Sequence, residues 1–91
     1  MKYEHLISQD DKHIVFLRAV SKIELEDRNK KQAIIAVLSN DNEIELGVYG
    51  TLGAALDVAK HLSMWIDSIA TKKDASASFK FPSEEMVKSK E

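Results

Sequence analysis

The stretch from Gln32 to Ala70 predicts most of the architecture, because it contains two strands, a tight turn between them and a long helix. Residues 32–38 are apolar on both faces of an extended chain, which is typical of a central strand buried on both sides. Residues 43–48 alternate between polar and apolar side chains, the period of a half-buried strand. A hairpin followed by a helix is therefore the expected centre of the fold.

The turn between these strands predicts their register. Residues 39–42 are of types that tolerate left-handed backbone, as a hairpin turn requires. An even-numbered loop here places opposed residues on one face of the sheet. The predicted pairs are Val37 with Ile44, Ile35 with Leu46 and Ala33 with Val48. We expect these six side chains to face the core.

The helix is predicted to begin after Gly50. Thr51 is a suitable N-cap, since its hydroxyl oxygen can accept a hydrogen bond from an otherwise unpaired backbone N–H. Apolar residues recur at helical spacing through Leu52, Ala55, Ala59, Leu62, Ile66 and Ile69. Ala54, Val58 and Trp65 widen this stripe to roughly 160–200°, against about 100° for an ordinary surface helix. A sheet of three or four strands does not cover all of so wide a stripe.

Two further strands are predicted before Gln32. Residues 13–18 are β-branched and aromatic, and residues 22–26 alternate cleanly. The apolar alternation changes phase across residues 19–21, which indicates a bend or bulge. Within the first twelve residues we expect a short edge strand that pairs with the strand after it.

The turn over residues 27–31 leaves two registers open. An even loop places Ile23 and Leu25 on the face of Ile34 and Ala36. An odd loop with a bulge, using Asn29 in the left-handed region, places them on the face of Ile35 and Val37 instead. We prefer the odd loop, because the predicted core face would otherwise turn Glu24 towards the helix, where an unpaired carboxylate is costly.

The preferred register leaves an apolar strip on the side of the sheet away from the helix. It consists of Ile34, Ala36 and Leu38, bordered by Glu24, Glu26, Glu43 and Glu45. An apolar centre with a charged rim is typical of a protein–protein contact. We therefore predict that this strip is an interface for self-association or for a protein partner, unless the N-terminal arm or the C-terminal tail covers it.

Residues 71–91 change to a polar composition and are predicted to be a flexible tail outside a compact domain of residues 1–70. The alternative is that Phe79 and Phe81 dock onto a neighbouring subunit. Trp65 is expected to pack in the core or at an interface. Trp65, Phe79 and Phe81 thus join Ile34, Ala36 and Leu38 as candidate interface residues.

Composition excludes several classes of function. The 91 residues carry 13 basic and 15 acidic side chains, a net charge of −2, so nucleic acid is an unfavoured partner. The absence of cysteine excludes a disulfide framework and a thiol nucleophile. No signal-peptide or membrane-spanning stretch is visible, so a cytoplasmic location without membrane association is expected.

No pattern in the chain indicates catalysis or a cofactor. The glycines at residues 47, 50 and 53 lie between strand and helix, but their spacing is not that of a phosphate-binding motif. Asp57 and His61 stand one helical turn apart without a metal partner, and no spacing singles out Ser63 or Ser21 as the nucleophile that such a pair would need. We predict that the protein is not an enzyme and has no metal or cofactor.

Residues 14–69, with their order of three strands and a helix, resemble short β-meander–helix proteins of Gram-positive bacteria and their phages. The resemblance includes the junction from Leu46 to Leu56. It implies a scaffold or small accessory protein, and it transfers no active site.

These observations predict an α+β fold, in which an antiparallel meander of three to five strands carries one long helix on one face. The expected function is that of a small interaction protein that forms a homo-oligomer, most simply a dimer, and binds a protein partner. The alternative is a small nucleic-acid-associated regulator that uses Lys22, Lys30 and Lys31.

Overall fold

A computed structural model of the protein describes residues 4–71 and 78–88. Its strands are β1 (His5–Ile7), β2 (Ile14–Phe16), β3 (Val20–Arg28), β4 (Lys31–Leu38), β5 (Glu43–Tyr49) and β6 (Ser78–Lys80). The helices are α1 (Leu52–Thr71) and α2 (Glu84–Lys88), and a short 3-10 helix covers Leu17–Ala19. The predicted α+β fold with a meander and one long helix is confirmed.

The strands β3, β4 and β5 form the predicted antiparallel meander, with β4 in the centre. The expected irregularity near the start of β3 is present, since the register shifts between Val20 and Lys22. The turn after β3 has only two residues, Asn29 and Lys30, with φ angles of 53° and 66°. This is the even loop, so the preferred odd loop was wrong, and Leu25 lies opposite Ile34.

The turn after β4 is odd rather than even. Leu38 donates its N–H to the carbonyl of Asn42 at 2.8 Å, which leaves three residues in the loop. A register shift in β5 then restores the predicted pairing at the far end, where Ala33 lies opposite Val48. The predicted pairs of Val37 with Ile44 and of Ile35 with Leu46 were therefore wrong.

These two corrections reverse the face of β4. Ile34 and Ala36 are fully buried in one core cluster with α1, and Leu38 packs against it. They do not form the predicted exposed strip. The error arose because one extra residue in a strand exchanges the two faces beyond it, and neither the three-residue turn nor the bulge was predicted.

The strands β1, β2 and β6 form a second sheet that the sequence analysis did not predict. The predicted pairing of β1 with β2 is confirmed, and Leu6 lies opposite Val15. However, β1 is the central strand and not an edge, because β6 pairs with it in parallel.

The C-terminal segment differs from the predicted flexible tail. Phe81 is fully buried and Val87 nearly so, both in the same core cluster as the meander and α1. Pairing of β6 with β1 and hydrogen bonds from Gln9 and Tyr49 to the carbonyl of Pro82 also hold this segment. Residues 72–77, which include most of the predicted linker, and residues 89–91 lie outside the described part of the chain.

The start of α1 follows the predicted capping. Thr51 accepts a hydrogen bond from the N–H of Ala54 at 3.1 Å through its hydroxyl oxygen. The buried positions of α1 are Ala54, Ala55, Val58 and Leu62. Leu52 and Ile66 remain partly exposed, so the wide apolar stripe is only partly covered.

Candidate functional site

Arg28 connects the two outer strands of the meander across β4. It donates from Nε to Glu26 at 2.8 Å, and its two terminal nitrogens lie 3.4 Å from carboxylate oxygens of Glu43 and Glu45 on β5. The hydrogen bond to Glu26 is the main reason that the pKa of Arg28 is raised, and the charges of Glu45 and Glu43 add to it. The guanidinium therefore lies over the centre of the sheet on the side away from α1.

Beneath this charged cover lie Ala33, Ile35 and Val37, the second apolar set of β4. Ala33 and Ile35 are fully buried although they face away from the helix. The four glutamates predicted as the rim do occupy this face, but Ala33, Ile35 and Val37 form its centre. Long charged side chains cover much apolar surface while their charges stay in water, which explains this burial.

The aromatic residues predicted as interface anchors contact one another within the chain. The ring centroids of Trp65 and Phe79 lie 5.7 Å apart, and those of Phe79 and Phe81 lie 5.1 Å apart at nearly a right angle. The edge-to-face contact between Phe79 and Phe81 adds to the stability gained from burial. Phe81 therefore anchors the C-terminal segment in its own subunit, while Trp65 and Phe79 keep part of their surface exposed.

The outer edge of β5 is occupied by Gln9, which the sequence analysis did not single out. The backbone N–H of Gln9 donates a hydrogen bond to the backbone carbonyl of Leu46 at 2.7 Å. The side-chain amide of Gln9 both donates to the carbonyl of Val48 and accepts from its N–H, at 3.2 and 3.1 Å. One residue thus pairs with β5 much as a neighbouring strand would.

The same amide of Gln9 also joins β5 to the C-terminal segment. Its nitrogen donates to the carbonyl of Pro82 at 3.2 Å, and the hydroxyl of Tyr49 donates to that carbonyl at 2.8 Å. Burial raises the pKa of Tyr49, with a smaller contribution from the charge of Glu84. Gly47 leaves room for the Tyr49 ring, because a Cβ there would lie 2.9 Å from it.

At the opposite side of the meander, no strand in the described part of the chain pairs with the outer edge of β3. An apolar groove of about 310 Å³ lies between this edge and α1. Its apolar lining consists of Ile23, Leu25, Ile34, Ala59, Leu62 and Ile66. Leu25 is 39% exposed and Ile66 is 36% exposed.

The edge of β3 has charged side chains on the face away from the groove. Lys22 lies 3.2 Å from Glu24, and both side chains are well exposed. The clean alternation of residues 22–26 in the sequence was a signal for this two-faced edge. What the sequence did not show is that β3 is the strand left at the end of the meander.

The glycine-rich junction before α1 holds a carboxylate from the same chain. Glu84 accepts a hydrogen bond from the N–H of Gly50 at 2.5 Å. A Cβ at Gly50 would collide with that carboxylate. An acidic side chain thus lies just before the N-terminal end of α1, where the helix dipole favours a negative charge.

The residues considered for catalysis, Asp57, His61 and Ser63, do not come together in one site. The Nδ1–H of His61 donates a hydrogen bond to the backbone carbonyl of Asp57 at 2.8 Å, and the carboxylate of Asp57 lies farther from Nδ1, at 3.7 Å. His61 lines a groove beside the C-terminal segment, whereas Ser63 lines the groove beside β3. Across residues 4–71 and 78–88, no three histidine or acidic side chains are grouped to hold a metal ion.

The basic residues considered for nucleic acid lie among carboxylates. Lys22 pairs with Glu24, and Lys30 belongs to the exposed turn at the end of β3. The face of the sheet nearest to them carries four glutamates against Arg28, Lys22 and Lys31. This distribution of charge gives no support to a phosphate-binding surface.

Among the described residues, no helix is both long and apolar enough to cross a membrane. Comparison of the chain with protein-family models, with curated proteins and with solved structures finds no match.

Proposed function

We propose that this chain is a non-enzymatic interaction protein that self-associates and binds a protein partner through the edge of β3 and the groove beside it. One observation carries the proposal: the outer edge of β3 has no partner strand in the described chain, while Leu25 and Ile66 remain exposed beside it. The site replaces the strip of Ile34, Ala36 and Leu38 that the sequence had indicated.

An open sheet edge offers a row of backbone donors and acceptors to an extended segment. Addition of a strand satisfies these groups, and pockets beside the edge take alternate side chains of the added strand. Proteins usually protect an unused edge by covering it, bending it or placing charges on it. Gln9 covers the β5 edge. The β3 edge has charges on one face and a bulge at its start, but its groove face is apolar and from Lys22 to Arg28 it pairs with β4 without irregularity.

The non-enzymatic part of the proposal rests on the separation of His61 from Ser63 and on the carboxylate that fills the glycine-rich junction. A cytoplasmic location is also part of the proposal, since a chain without cysteine needs no oxidising compartment.

The test of self-association is the solution mass, measured by light scattering on a sizing column over a hundredfold range of concentration. We expect a mass that rises to that of a dimer, and a lower mass for Leu25→Glu at the same concentrations. A charge placed in the groove loses the apolar contact and is costly to desolvate.

Leu56→Glu is the matched control. Leu56 is 49% exposed on α1 and does not line the groove, so the same substitution there should leave the mass unchanged. A wild-type protein that stays monomeric over the whole range would refute self-association. Dimers that persist in the folded Leu25→Glu variant would exclude the β3 edge as the interface.

A further inference from the structure

The pattern of side chains along β3 suggests which strand its edge accepts. By strand alternation, Ile23 and Leu25 stand on the groove face, and Lys22, Glu24 and Glu26 stand on the opposite face, although Glu24 also contributes to the groove lining. A matching strand must bring apolar residues to the groove face. It must also bring a positive charge opposite Glu26 and a negative charge opposite Lys22.

We propose that the occupant is β3 of a second copy of this chain, paired antiparallel about a two-fold axis that passes beside Glu24. This inference rests on the proposed self-association and assigns its surface and register. Pairing across such an axis keeps both α1 helices on the same side of a continuous six-stranded sheet.

Charge pairing and apolar pairing together favour this register. With Glu24 at the axis, Lys22 of each copy lies opposite Glu26 of the other, and Ile23 lies opposite Leu25 on the groove face. Opposite charges and apolar pairs directly across antiparallel strands are both stabilising. The register also uses the whole strand, because Glu24 is the midpoint of Val20–Arg28, and its central pairs from Lys22 to Glu26 lie outside the irregular start of β3.

Neighbouring registers fit less well. With Leu25 at the axis, Lys22 would lie opposite Arg28, and Glu24 opposite Glu26, so like charges would meet on both sides. With Ile23 at the axis, Lys22 would lie opposite Glu24, but Leu25 would lose its apolar partner and face Ser21, within the irregular start of β3. The favoured register contains one unfavourable contact, between the two copies of Glu24.

The chain contains no cysteine, so a single substitution provides a clean cross-linking probe. Residues opposed across antiparallel strands have Cα atoms about 4.5–5.5 Å apart, within the range that a disulfide spans. We expect oxidised Glu24→Cys to form a covalent dimer on a non-reducing gel. Glu45→Cys is the matched control, since it places a cysteine at an exposed glutamate on the same face of β5.

A mixing experiment fixes the register. Lys22→Cys and Glu26→Cys should each fail to cross-link alone. In this register the two copies of the same residue are offset by four positions along the paired strands, which separates them by about 13 Å. An equal mixture of the two variants should cross-link. Glu24→Gln removes the like-charge contact, and roughly a twofold to fivefold lower dissociation constant is expected from light scattering.

The outcomes separate this inference from the proposed function. Dimers in light scattering without a Glu24→Cys cross-link, and without tighter association of Glu24→Gln, would overturn the β3 register while self-association stands. A monomer at every concentration would overturn both. Cross-linking of Ile23→Cys in place of Glu24→Cys would move the axis by one residue and refute the register proposed.

Discussion

Phe81 offers the sharpest test of how the C-terminal segment contributes to the fold. Its side chain is fully buried in the core cluster, and its ring meets that of Phe79 at 5.1 Å. The preceding residues of the chain give no sign of this role, since polar and small side chains dominate from residue 71 onward. Phe81→Ala therefore distinguishes a structural segment from a tail.

The expected cost follows from burial. Replacing a buried phenylalanine with alanine destabilises a protein by about 3–5 kcal/mol, through lost transfer free energy and the cavity left behind. A domain of this size has a total free energy of unfolding of about 5–14 kcal/mol. The variant is therefore expected to lose a large part of its stability. Phe81→Leu is a milder second variant, which should lose about 1–2 kcal/mol of unfolding free energy and remain folded for measurement.

Urea unfolding followed by the emission of Trp65, the single tryptophan, measures this cost. The reporter is well placed because its ring lies 5.7 Å from that of Phe79. Phe16→Ala is the matched control, since it makes the same deletion where the side chain is 47% exposed. Its cost should be less than half that of Phe81→Ala. Equal costs for the two variants would refute the assignment of residues 78–88 to the core.

Three further predictions use the same urea measurement. Gln9→Ala removes the bonds to Val48 and Pro82 and should cost about 1–3 kcal/mol; a neutral effect would contradict the bridging role of the amide. Tyr49→Phe should cost about 0.5–1.5 kcal/mol at neutral pH. The pKa of Tyr49 is raised in the folded state, so the contribution of its neutral phenol to the free energy of unfolding is fully present below about pH 10, the pKa of an exposed tyrosine. That contribution is lost as the pH rises further. The Tyr49→Phe variant should lose less stability over that alkaline range, and a parallel loss in both proteins would exclude the phenol as its cause. Thr51→Ala should cost about 1 kcal/mol while Thr51→Ser costs little, and equal costs would show that the hydroxyl does not cap α1.

The local elements were largely predictable because their signals are local. The alternation of residues 43–48 and the apolar run of residues 32–38 each define a strand, and the structure confirms both within one residue. Thr51 caps α1 as expected from its residue type and position. The change of phase at residues 19–21 correctly indicated the bulge in β3.

The candidate site was not predictable to the same degree. The sequence pointed to a sheet surface, but it named Ile34 and Ala36, which are fully buried against α1. The open edge of β3 depends on which strand ends the sheet, and the groove depends on how α1 crosses it. The alternation of residues within a single strand predicts neither the order of strands in the sheet nor the path of the helix across it.

By itself, the sequence determined the fold class, the three strands of the meander, the long helix and its cap. These features follow from the spacing of apolar residues and from backbone preferences, which act over a few neighbouring positions. Tertiary structure alone decided the face of β4, through an odd turn and one bulge in β5. It also placed Phe81 in the core and Gln9 on the edge of β5. Such decisions depend on contacts between residues distant in the chain, where a shift of one residue exchanges the buried and exposed faces of a strand.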